Sequence, residues 1–280
     1  MIIKTKWFGT ASYILDFDGI RLFFDPFFFR NENSAPILKS KKEDIKNISA
    51  IFISHGHFDH ISDAGWFAEN LNVPIYCSEA AKNTIIRWAE GKILPDHSHP
   101  LSERAKNKIK SCNSFDTIKI TKDISVEFIK SEHIKFDLNT IFSRLFSWKF
   151  LKQMGAMIPY GKGFPMGTVF GFCTYYKDKK IVSFGSLWHE YTEILKKYQN
   201  CDIFFAPLAG NSKQHLAKKG GRMVELLKPK IVIPIHWDNF FPPISRAENL
   251  NPFFKYMERI FPHIEIKILP FDEEIILELD

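Results

Sequence analysis

The sequence has few cysteines, few arginines and no long apolar run. Its four cysteines, Cys77, Cys112, Cys173 and Cys201, lie far apart without a Cys-x-x-Cys pair, and a chain of 280 residues can bury enough apolar surface to fold without disulfides. We therefore expect reduced thiols that serve in packing. No apolar run reaches the roughly 20 residues that a membrane helix needs. The charged, strand-like N-terminus also differs from a signal peptide, so we expect a cytoplasmic protein.

The basic charge is carried by lysine rather than by arginine. The net charge is +6 and the pI is about 9.0, which by itself fits nucleic acid, an anionic lipid surface or an acidic substrate. Only 8 of the 38 basic residues are arginine, however, and the arginine guanidinium is the group that suits bidentate phosphate recognition. The lysines are also scattered along the chain. We therefore expect a solvated basic surface and no nucleic-acid partner.

The composition, 45% hydrophobic and 25% charged, is that of a globular protein whose elements can be placed from apolar periodicity. Three strands are predicted at 2–8, 13–17 and 20–24, the last two joined by the hairpin pair Asp18-Gly19. Helices are then predicted over 64–70, 79–89, 190–198, 212–227 and 252–260, among strands over 50–53, 74–77, 117–120, 125–129, 168–176, 181–184, 202–206, 231–235, 264–268 and 274–279. This order predicts an α/β protein with two mixed sheets between helices.

A cluster of metal-ligating side chains follows the predicted strand at 50–53. His55, His57, Asp59 and His60 place three of the ten histidines and one aspartate within six residues. In an extended segment His55 and His57 point the same way, so both imidazoles can bind one metal ion at the Zn–N distance of about 2.0–2.1 Å. Asp59 and His60 enter the following turn and face elsewhere. The cluster therefore predicts two neighbouring metal positions.

Two distant histidines are candidates to complete these positions. Two protein ligands leave a tetrahedral zinc ion short, so further ligands must come from elsewhere in the chain. His133 follows the strand predicted at 125–129, and His236 directly follows the strand predicted at 231–235. The ends of such strands are where open α/β sheets place their sites. We therefore expect both imidazoles to reach the cluster.

The pattern His-x-His-x-Asp-His after a short apolar strand resembles the motif of the metallo-β-lactamase fold superfamily of metallohydrolases. The segments 7–12, Asp25-Pro26, His133 and 234–238 are similar to that superfamily's successive elements, so the resemblance covers nearly the whole chain. It implies a four-layer αββα sandwich formed by a single domain over 1–280. The pattern is most similar to the branch that contains sugar-phosphate lactonases and N-acylethanolamine phospholipases D.

The resemblance also implies roles for individual residues. It implies one metal ion on His55, His57 and His133 and a second on Asp59, His60 and His236, with Zn²⁺ expected and Mn²⁺ or Fe²⁺ as alternatives. A zinc ion lowers the pKa of its bound water to about 7, so a metal-bound hydroxide is the expected nucleophile, and Asp59 would orient it or accept its proton. Asp25 and Asp238 are candidates to fix imidazole tautomers, with a surface position as the alternative for Asp238.

One element departs from the family pattern. Where the family has Gly-Asp-Thr, with the aspartate bridging both metals, this chain has Gly185-Ser186-Leu187. A neutral hydroxyl does not replace the charge of a bridging carboxylate. We therefore expect a weakly occupied or absent second metal, or a replacement ligand from His189 or Glu190.

The stretch 136–154 has the pattern of a basic amphipathic helix. It fits a lid within an insertion at 134–166, a helix that contacts a membrane surface, or a helix of the core. Together with the run Phe27-Phe28-Phe29 it would give the site an apolar wall. Such a wall suits a small-molecule substrate with an acyl or other apolar group.

These observations predict a metal-dependent hydrolase of an ester, a lactone or a phosphodiester. A metal-dependent nuclease is an alternative, although the sequence shows no arginine cluster to grip phosphates. A redox di-iron protein of the same fold is disfavoured by His57, because those relatives resemble His-x-Glu-x-Asp-His. A relative that binds a metal or ligand without catalysis is kept open by Ser186. The substrate and the oligomeric state are left open by the sequence.

Overall fold

The computed structural model of the chain describes residues 1–135, 158–187 and 192–279, and within them the strands form two seven-stranded sheets. The strands of the first sheet are β1 (Ile2–Gly9), β2 (Ser12–Phe17), β3 (Ile20–Phe24), β4 (Ile48–Phe52), β5 (Ile75–Cys77), β6 (Ile109–Ser111) and β14 (Glu274–Glu278). The strands of the second sheet are β7 (Thr117–Lys119), β8 (Ile124–Ser131), β9 (Val169–Tyr176), β10 (Lys179–Phe184), β11 (Ile203–Pro207), β12 (Ile231–Ile235) and β13 (Glu265–Ile266).

Each sheet has an antiparallel half and a parallel half. In the first sheet β14, β1, β2 and β3 are antiparallel neighbours, and β4, β5 and β6 continue from β3 in parallel. In the second sheet β7, β8, β9 and β10 are antiparallel neighbours, and β11, β12 and β13 continue from β10 in parallel. Parallel strands bring their carboxyl ends to one edge of a sheet, which is where open α/β sheets place their sites.

Helices cover the outer faces of both sheets. Those of the first sheet are α1 (Phe58–Ile61), α2 (Ala64–Leu71), α3 (Glu79–Ala89) and α4 (Glu103–Lys106). Those of the second sheet are α5 (Thr192–Lys196), α6 (Lys213–Leu227) and α7 (Asn251–Ile260). In the part of the chain that the structure describes, no helix has both the length and the apolar character that crossing a membrane requires.

Three apolar layers hold this arrangement together. Between the sheets the ring of Tyr13 stacks on Phe24 at 4.8 Å and on Phe205 of the opposite sheet at 4.3 Å. The outer two layers lie between each sheet and its helices, because the side chains of a buried strand alternate between its faces. In β12, for example, Ile233 faces the other sheet and Val232 faces the helices. The result is a four-layer αββα sandwich, which confirms the predicted fold class.

The predicted elements agree with the observed ones wherever the apolar pattern is long. The helix at 79–89 and the strand at 231–235 have the predicted bounds, whereas the short β6, α1 and α4 were not predicted. The amphipathic stretch 136–154 lies outside the described residues, and so does most of the insertion at 134–166. The lid therefore stays a prediction, as does the single domain over 1–280.

The four cysteines are free and buried, which confirms the expectation of packed thiols. Burial raises the pKa of Cys112 to about 11 and that of Cys173 to about 12. Both thiols are therefore protonated and weakly nucleophilic at neutral pH.

Candidate metal centre

The candidate site lies where strands of the two sheets end beside each other. In the first sheet β3 ends just before Asp25, and β4 leads through Ser54 into the histidine cluster. In the second sheet β8 ends two residues before His133, and β12 ends directly before His236. Strand ends from both sheets thus bring together residues that are far apart in the sequence.

The first group of ligands consists of His55, His57 and His133, whose ligating atoms all lie within 4.8 Å of one another. His55 Nε2 lies 3.1 Å from His57 Nδ1. The ring of His133 is centred 5.1 Å from that of His55 and 4.7 Å from that of His57. His133 Nδ1 lies 2.9 Å from the Ile134 carbonyl oxygen, which can only accept, so Nδ1 donates and Nε2 is left as the ligating atom. We call these three residues the imidazole triad.

The second group consists of Asp59, His60 and His236, and all three residues are buried. Asp59 Oδ2 lies 3.4 Å from His60 Nε2 and 3.3 Å from His236 Nε2. We call these residues the carboxylate triad. The two triads are adjacent, since the rings of His55 and His60 are centred 4.0 Å apart. The structure therefore brings together all six residues that the sequence singles out as metal ligands.

Burial keeps the histidines of the imidazole triad neutral. It is the main cause that lowers the pKa of His57 to about 4, with a further contribution from the neighbouring His133. Burial also lowers the pKa of His133, and it holds the pKa of His55 well below the usual range. Because neutral imidazole is the form that binds a metal ion, this triad is ready to bind at neutral pH.

Charge pairing outweighs burial in the carboxylate triad. Burial favours the neutral form of Asp59, but the charge of His60 and the hydrogen bond from His236 together lower its pKa well below the usual range. Burial likewise favours neutral His60, yet the carboxylates of Asp59 and Asp25 together raise its pKa. Charge pairing therefore favours the ionised form of Asp59 and the protonated form of His60.

Asp25 contacts both Ser54 and an imidazole of the carboxylate triad. Its Oδ1 accepts the Ser54 backbone N–H at 2.7 Å, and its Oδ2 lies 2.6 Å from Ser54 Oγ and 2.8 Å from His60 Nδ1. The backbone of Asp25 has a φ of 43°, an unfavourable conformation that this network maintains. The geometry is that of a carboxylate that orients a ligating imidazole. Ser54 was not predicted from the sequence, although it directly precedes the cluster.

Asp238 is buried and contacts the backbone rather than the solvent, so the surface position considered for it is wrong. Its Oδ1 accepts the Thr10 backbone N–H at 2.7 Å, and its Oδ2 pairs with Arg30 Nη1 at 2.8 Å. The Thr10 carbonyl in turn accepts the backbone N–H of His236 at 2.9 Å. His236 and Thr10 both have positive φ angles, 61° and 46°. Asp238 thus fixes the strained loop that presents His236, instead of contacting an imidazole directly.

Ser186, where the resemblance leads us to expect a bridging aspartate, is buried beside the imidazole triad. Its Oγ accepts the backbone N–H of Ile134 at 3.0 Å, and Ile134 directly follows His133 in the sequence. The adjacent Gly185 packs so closely that a Cβ atom there would overlap Ser54 Oγ and lie 2.9 Å from Asp25 Oδ2. His189 and Glu190, the candidate replacement ligands, lie outside the described residues, so their role stays a prediction.

A cavity of about 610 Å³ opens in front of both triads. Its described lining includes five of the six candidate ligands, together with Ser186. The remaining wall is largely apolar and includes Phe58, Ile134, Tyr160, Leu187, Phe240 and Ile244. The lining in the described part of the chain does not include 27–29, which corrects the expectation for that run. Phe27 instead packs behind the wall, its ring centred 5.9 Å from those of Phe58 and Phe240.

Comparison with known proteins finds a matching family. The family model described as the metallo-β-lactamase superfamily matches residues 5–143, which include most of β1, all of β2 to β8 and five of the six candidate ligands. Nearly half of the chain therefore matches the metallo-β-lactamase superfamily. A metal-dependent hydrolase of Pyrococcus abyssi is 25% identical over 247 residues, 87% of this chain and 88% of the relative. One of Staphylococcus aureus is 25% identical over 240 residues, 85% of this chain and 87% of the relative.

Solved structures show the same fold. Igni18, a metallo hydrolase from Ignicoccus hospitalis, aligns over 100% of both chains with a TM-score of 0.66 and 15% identity. An isothiocyanate hydrolase from Delia radicum gut bacteria aligns over 97% of this chain and 98% of the other, with a TM-score of 0.60 and 14% identity. At these identities the likeness establishes the fold.

Proposed function

We propose that this chain is a member of the metallo-β-lactamase superfamily and a metal-dependent hydrolase whose two triads bind metal ions beside the apolar cavity. The proposal rests chiefly on the convergence of six potential ligands from three chain segments, with five of the six lining one cavity. The two curated relatives named above are both called metal-dependent hydrolases, which supports the same activity. Cavities with a few convergent polar groups are the usual location of an active site.

The donor atoms present fit a transition-metal ion. Two ligands of a tetrahedral zinc ion lie about 3.3 Å apart, close to the 3.1 Å between His55 Nε2 and His57 Nδ1. His236 Nδ1 is buried without a hydrogen-bond partner in the described part of the chain, and its Nε2 lies beside Asp59. Five imidazoles and one carboxylate suit zinc better than calcium or magnesium. We therefore propose Zn²⁺, with Mn²⁺ or Fe²⁺ as alternatives.

The chemistry needs an activated water and a stabilised oxyanion. A bound Zn²⁺ supplies both, because it lowers the pKa of a bound water to about 7 and polarises a carbonyl or phosphoryl oxygen. Asp59 is the residue of this chain that can orient the attacking water. Since the pKa of Asp59 lies well below its usual range, this carboxylate is a weak base, which favours orientation over lasting proton storage.

The cavity wall favours an acyl substrate. Beside the triads the described lining is mostly apolar, and its basic side chain Arg246 pairs with Glu248, Nε to Oε1, at 3.4 Å. A phosphodiester brings a negative charge, and away from the proposed metal ions the described wall would desolvate the charged group, whereas an ester or a lactone is neutral. We therefore propose a small-molecule ester or lactone with an apolar group, ahead of a phosphodiester or a nucleic acid.

A substrate panel tests this function. Nitrophenyl esters, lactones and nitrophenyl phosphodiesters are assayed with purified protein, with and without added Zn²⁺ or Mn²⁺. We expect metal-dependent turnover that is highest on esters or lactones and that His57→Ala abolishes, while exposed His263→Ala leaves it unchanged. Full turnover in His57→Ala would refute the ligand assignment. Tight metal binding without turnover of any substrate would instead support the non-catalytic relative that Ser186 suggests.

A further inference from the structure

The side chain of Ser54 lies between the two triads, in contact with an imidazole from each. Its Oγ is 3.0 Å from His55 Nδ1 in the imidazole triad and 3.4 Å from His60 Nδ1 in the carboxylate triad. It is also 2.6 Å from Asp25 Oδ2, and Ser54 is fully buried. No solvent competes for these contacts. The following inference rests on the proposed metal sites.

The direction of each hydrogen bond follows from a count of protons. A carboxylate oxygen can only accept, so Asp25 Oδ2 receives the single hydroxyl proton of Ser54 and also the proton on His60 Nδ1. With its proton committed to Asp25, Ser54 Oγ can only accept from His55. His55 must then carry its proton on Nδ1. Because Nδ1 carries a proton in both histidines, Nε2 is the nitrogen that can offer a lone pair to a metal ion.

Close packing keeps this network in one arrangement. A Cβ atom at Gly185 would overlap Ser54 Oγ, so the backbone of that loop closes one side of the hydroxyl. The Ser54 carbonyl accepts the Phe170 backbone N–H at 2.8 Å, which ties Ser54 to the second sheet. The hydroxyl therefore has little freedom to turn away from Asp25.

We propose that Ser54 is a positioning residue. Its hydroxyl links Asp25, which orients His60 of the carboxylate triad, to His55 of the imidazole triad, so that Nε2 is the ligating nitrogen of both histidines. Asp25 sets the tautomer of His60 directly. It sets the tautomer of His55 only through the Ser54 hydroxyl.

Replacement of Asp25 by asparagine gives the sharpest test. The amide oxygen of Asn must accept the Ser54 backbone N–H, so the NH₂ group takes the place of Oδ2. Ser54 Oγ would then accept from the amide and donate to His55 Nδ1, which moves the His55 proton to Nε2. Asp25→Asn should therefore weaken metal binding at the imidazole triad, although Asp25 makes its imidazole hydrogen bond to His60.

The experiment is a double-mutant cycle on Zn²⁺ affinity, measured by competition with a chromophoric chelator. All variants carry His236→Ala, which removes a ligand of the carboxylate triad and leaves the imidazole triad to be measured alone. We expect Ser54→Ala and Asp25→Asn each to lower the affinity by about 10- to 100-fold, the usual cost of removing an outer-shell partner. Once Ser54 is alanine, Asp25→Asn should have little further effect.

A matched control is Ser62→Ala. Ser62 is also buried, and its hydroxyl donates to the Phe58 carbonyl oxygen instead of contacting an imidazole. We expect the Zn²⁺ affinity of Ser62→Ala to equal that of the parent. An equal loss in Ser54→Ala and Ser62→Ala would overturn the proposal, because it would indicate a general effect of removing a buried hydroxyl.

A second measurement does not depend on the folding of any variant. Imidazole ¹⁵N NMR of the Zn²⁺-loaded wild-type protein should show His55 protonated at Nδ1 and metal-bound at Nε2, and His60 protonated at Nδ1. A proton on Nε2 of His55, or an unprotonated Nδ1 in His60, would overturn the proposal. Failure of the wild-type protein to bind Zn²⁺ would overturn both this inference and the proposed function. Tight Zn²⁺ binding with these tautomers but without hydrolysis would overturn the proposed function alone.

Discussion

The imidazole triad contains three neutral side chains, whereas the carboxylate triad combines two imidazoles with an ionised carboxylate. In the imidazole triad, burial decides the pKa of each histidine. In the carboxylate triad, charge pairing outweighs burial and raises the pKa of His60. A metal ion therefore competes with protons more strongly at the carboxylate triad than at the imidazole triad.

The support behind the triads also differs. His55 and His133 each direct Nδ1 to a neighbour in sequence, Ser54 and the Ile134 carbonyl. His236 is held through its backbone, which bonds to Thr10 and depends on the buried pair of Asp238 and Arg30. Much of the support of the imidazole triad is thus local in sequence. That of the carboxylate triad depends on contacts between distant segments.

Among the substitutions considered, Gly185→Ala should disturb the support of the two triads most. The added methyl group would overlap Ser54 Oγ and press on Asp25, which support both triads. We expect a loss of about 1–3 kcal/mol in the free energy of unfolding, the usual cost of overpacking, together with weaker Zn²⁺ binding. Urea denaturation and chelator competition measure the two effects.

Gly65→Ala is the matched control for this prediction. Gly65 lies inside α2, where an added Cβ would meet its nearest neighbours at 3.5 Å, an ordinary contact distance. Alanine also favours the helix, so the free energy of unfolding should stay unchanged or rise by up to about 1 kcal/mol. Equal losses in the two variants would show that Gly185 has no special relation to the triads.

The predicted lack of a bridging carboxylate at residue 186 can be tested by replacing Ser186. Ser186→Asp should add a negative charge beside the imidazole triad and strengthen binding of the second Zn²⁺ by at least about 10-fold. Ser186→Asn has nearly the same shape without the charge and should not strengthen it. Stepwise Zn²⁺ titration against a chelator measures both affinities. Tight binding of two ions by the unchanged protein would show that another residue already supplies the missing charge.

The free energy of unfolding of the metal-free protein should depend on pH in opposite directions for His57 of the imidazole triad and His60 of the carboxylate triad. The pKa of His57 is lowered to about 4 in the folded state, so between that pH and about 6.5 the unfolded state binds more protons. Its stabilising contribution is therefore present above about pH 6.5 and is lost as the pH falls toward 4. The pKa of His60 is raised, so its contribution is present below about pH 6.5 and is lost as the pH rises through the folded-state pKa.

Replacement of His57 tests this sign. Each histidine contributes at most about 1.4 kcal/mol per pH unit to the free energy of unfolding. Between pH 4 and 6.5, His57→Ala should make the metal-free protein less sensitive to acid by up to that slope, as measured by urea denaturation across this range. An unchanged slope would contradict the neutral state assigned to His57.

The sequence reveals those residues of the site that lie close together in the chain or directly follow a strand. His55, His57, Asp59 and His60 are recognised because they lie within six residues, and His236 because it directly ends an apolar strand. The alternation of long apolar strands and helices likewise predicts the layered fold. These signals are local because a strand or helix repeats its apolar residues with its own period.

The remaining features depend on contacts that no local pattern encodes. Asp238 meets Arg30 across 208 positions of the sequence, and the overlap that Gly185 would create with Ser54 involves two different sheets. The run 27–29 has the expected apolar character, but only packing decides that Phe58 lines the cavity and Phe27 lies behind it. Residues that position others are therefore harder to recognise than the ligands.

The most direct test of the account is the metal content of protein purified without chelator. Elemental analysis of the wild-type protein and of His57→Ala would be compared after dialysis against Zn²⁺ and removal of the free ion. The account predicts at least one Zn²⁺ per wild-type chain and a marked loss in His57→Ala. It would be contradicted by a wild-type protein that retains no transition metal, or by a His57→Ala variant that retains as much metal as the wild type.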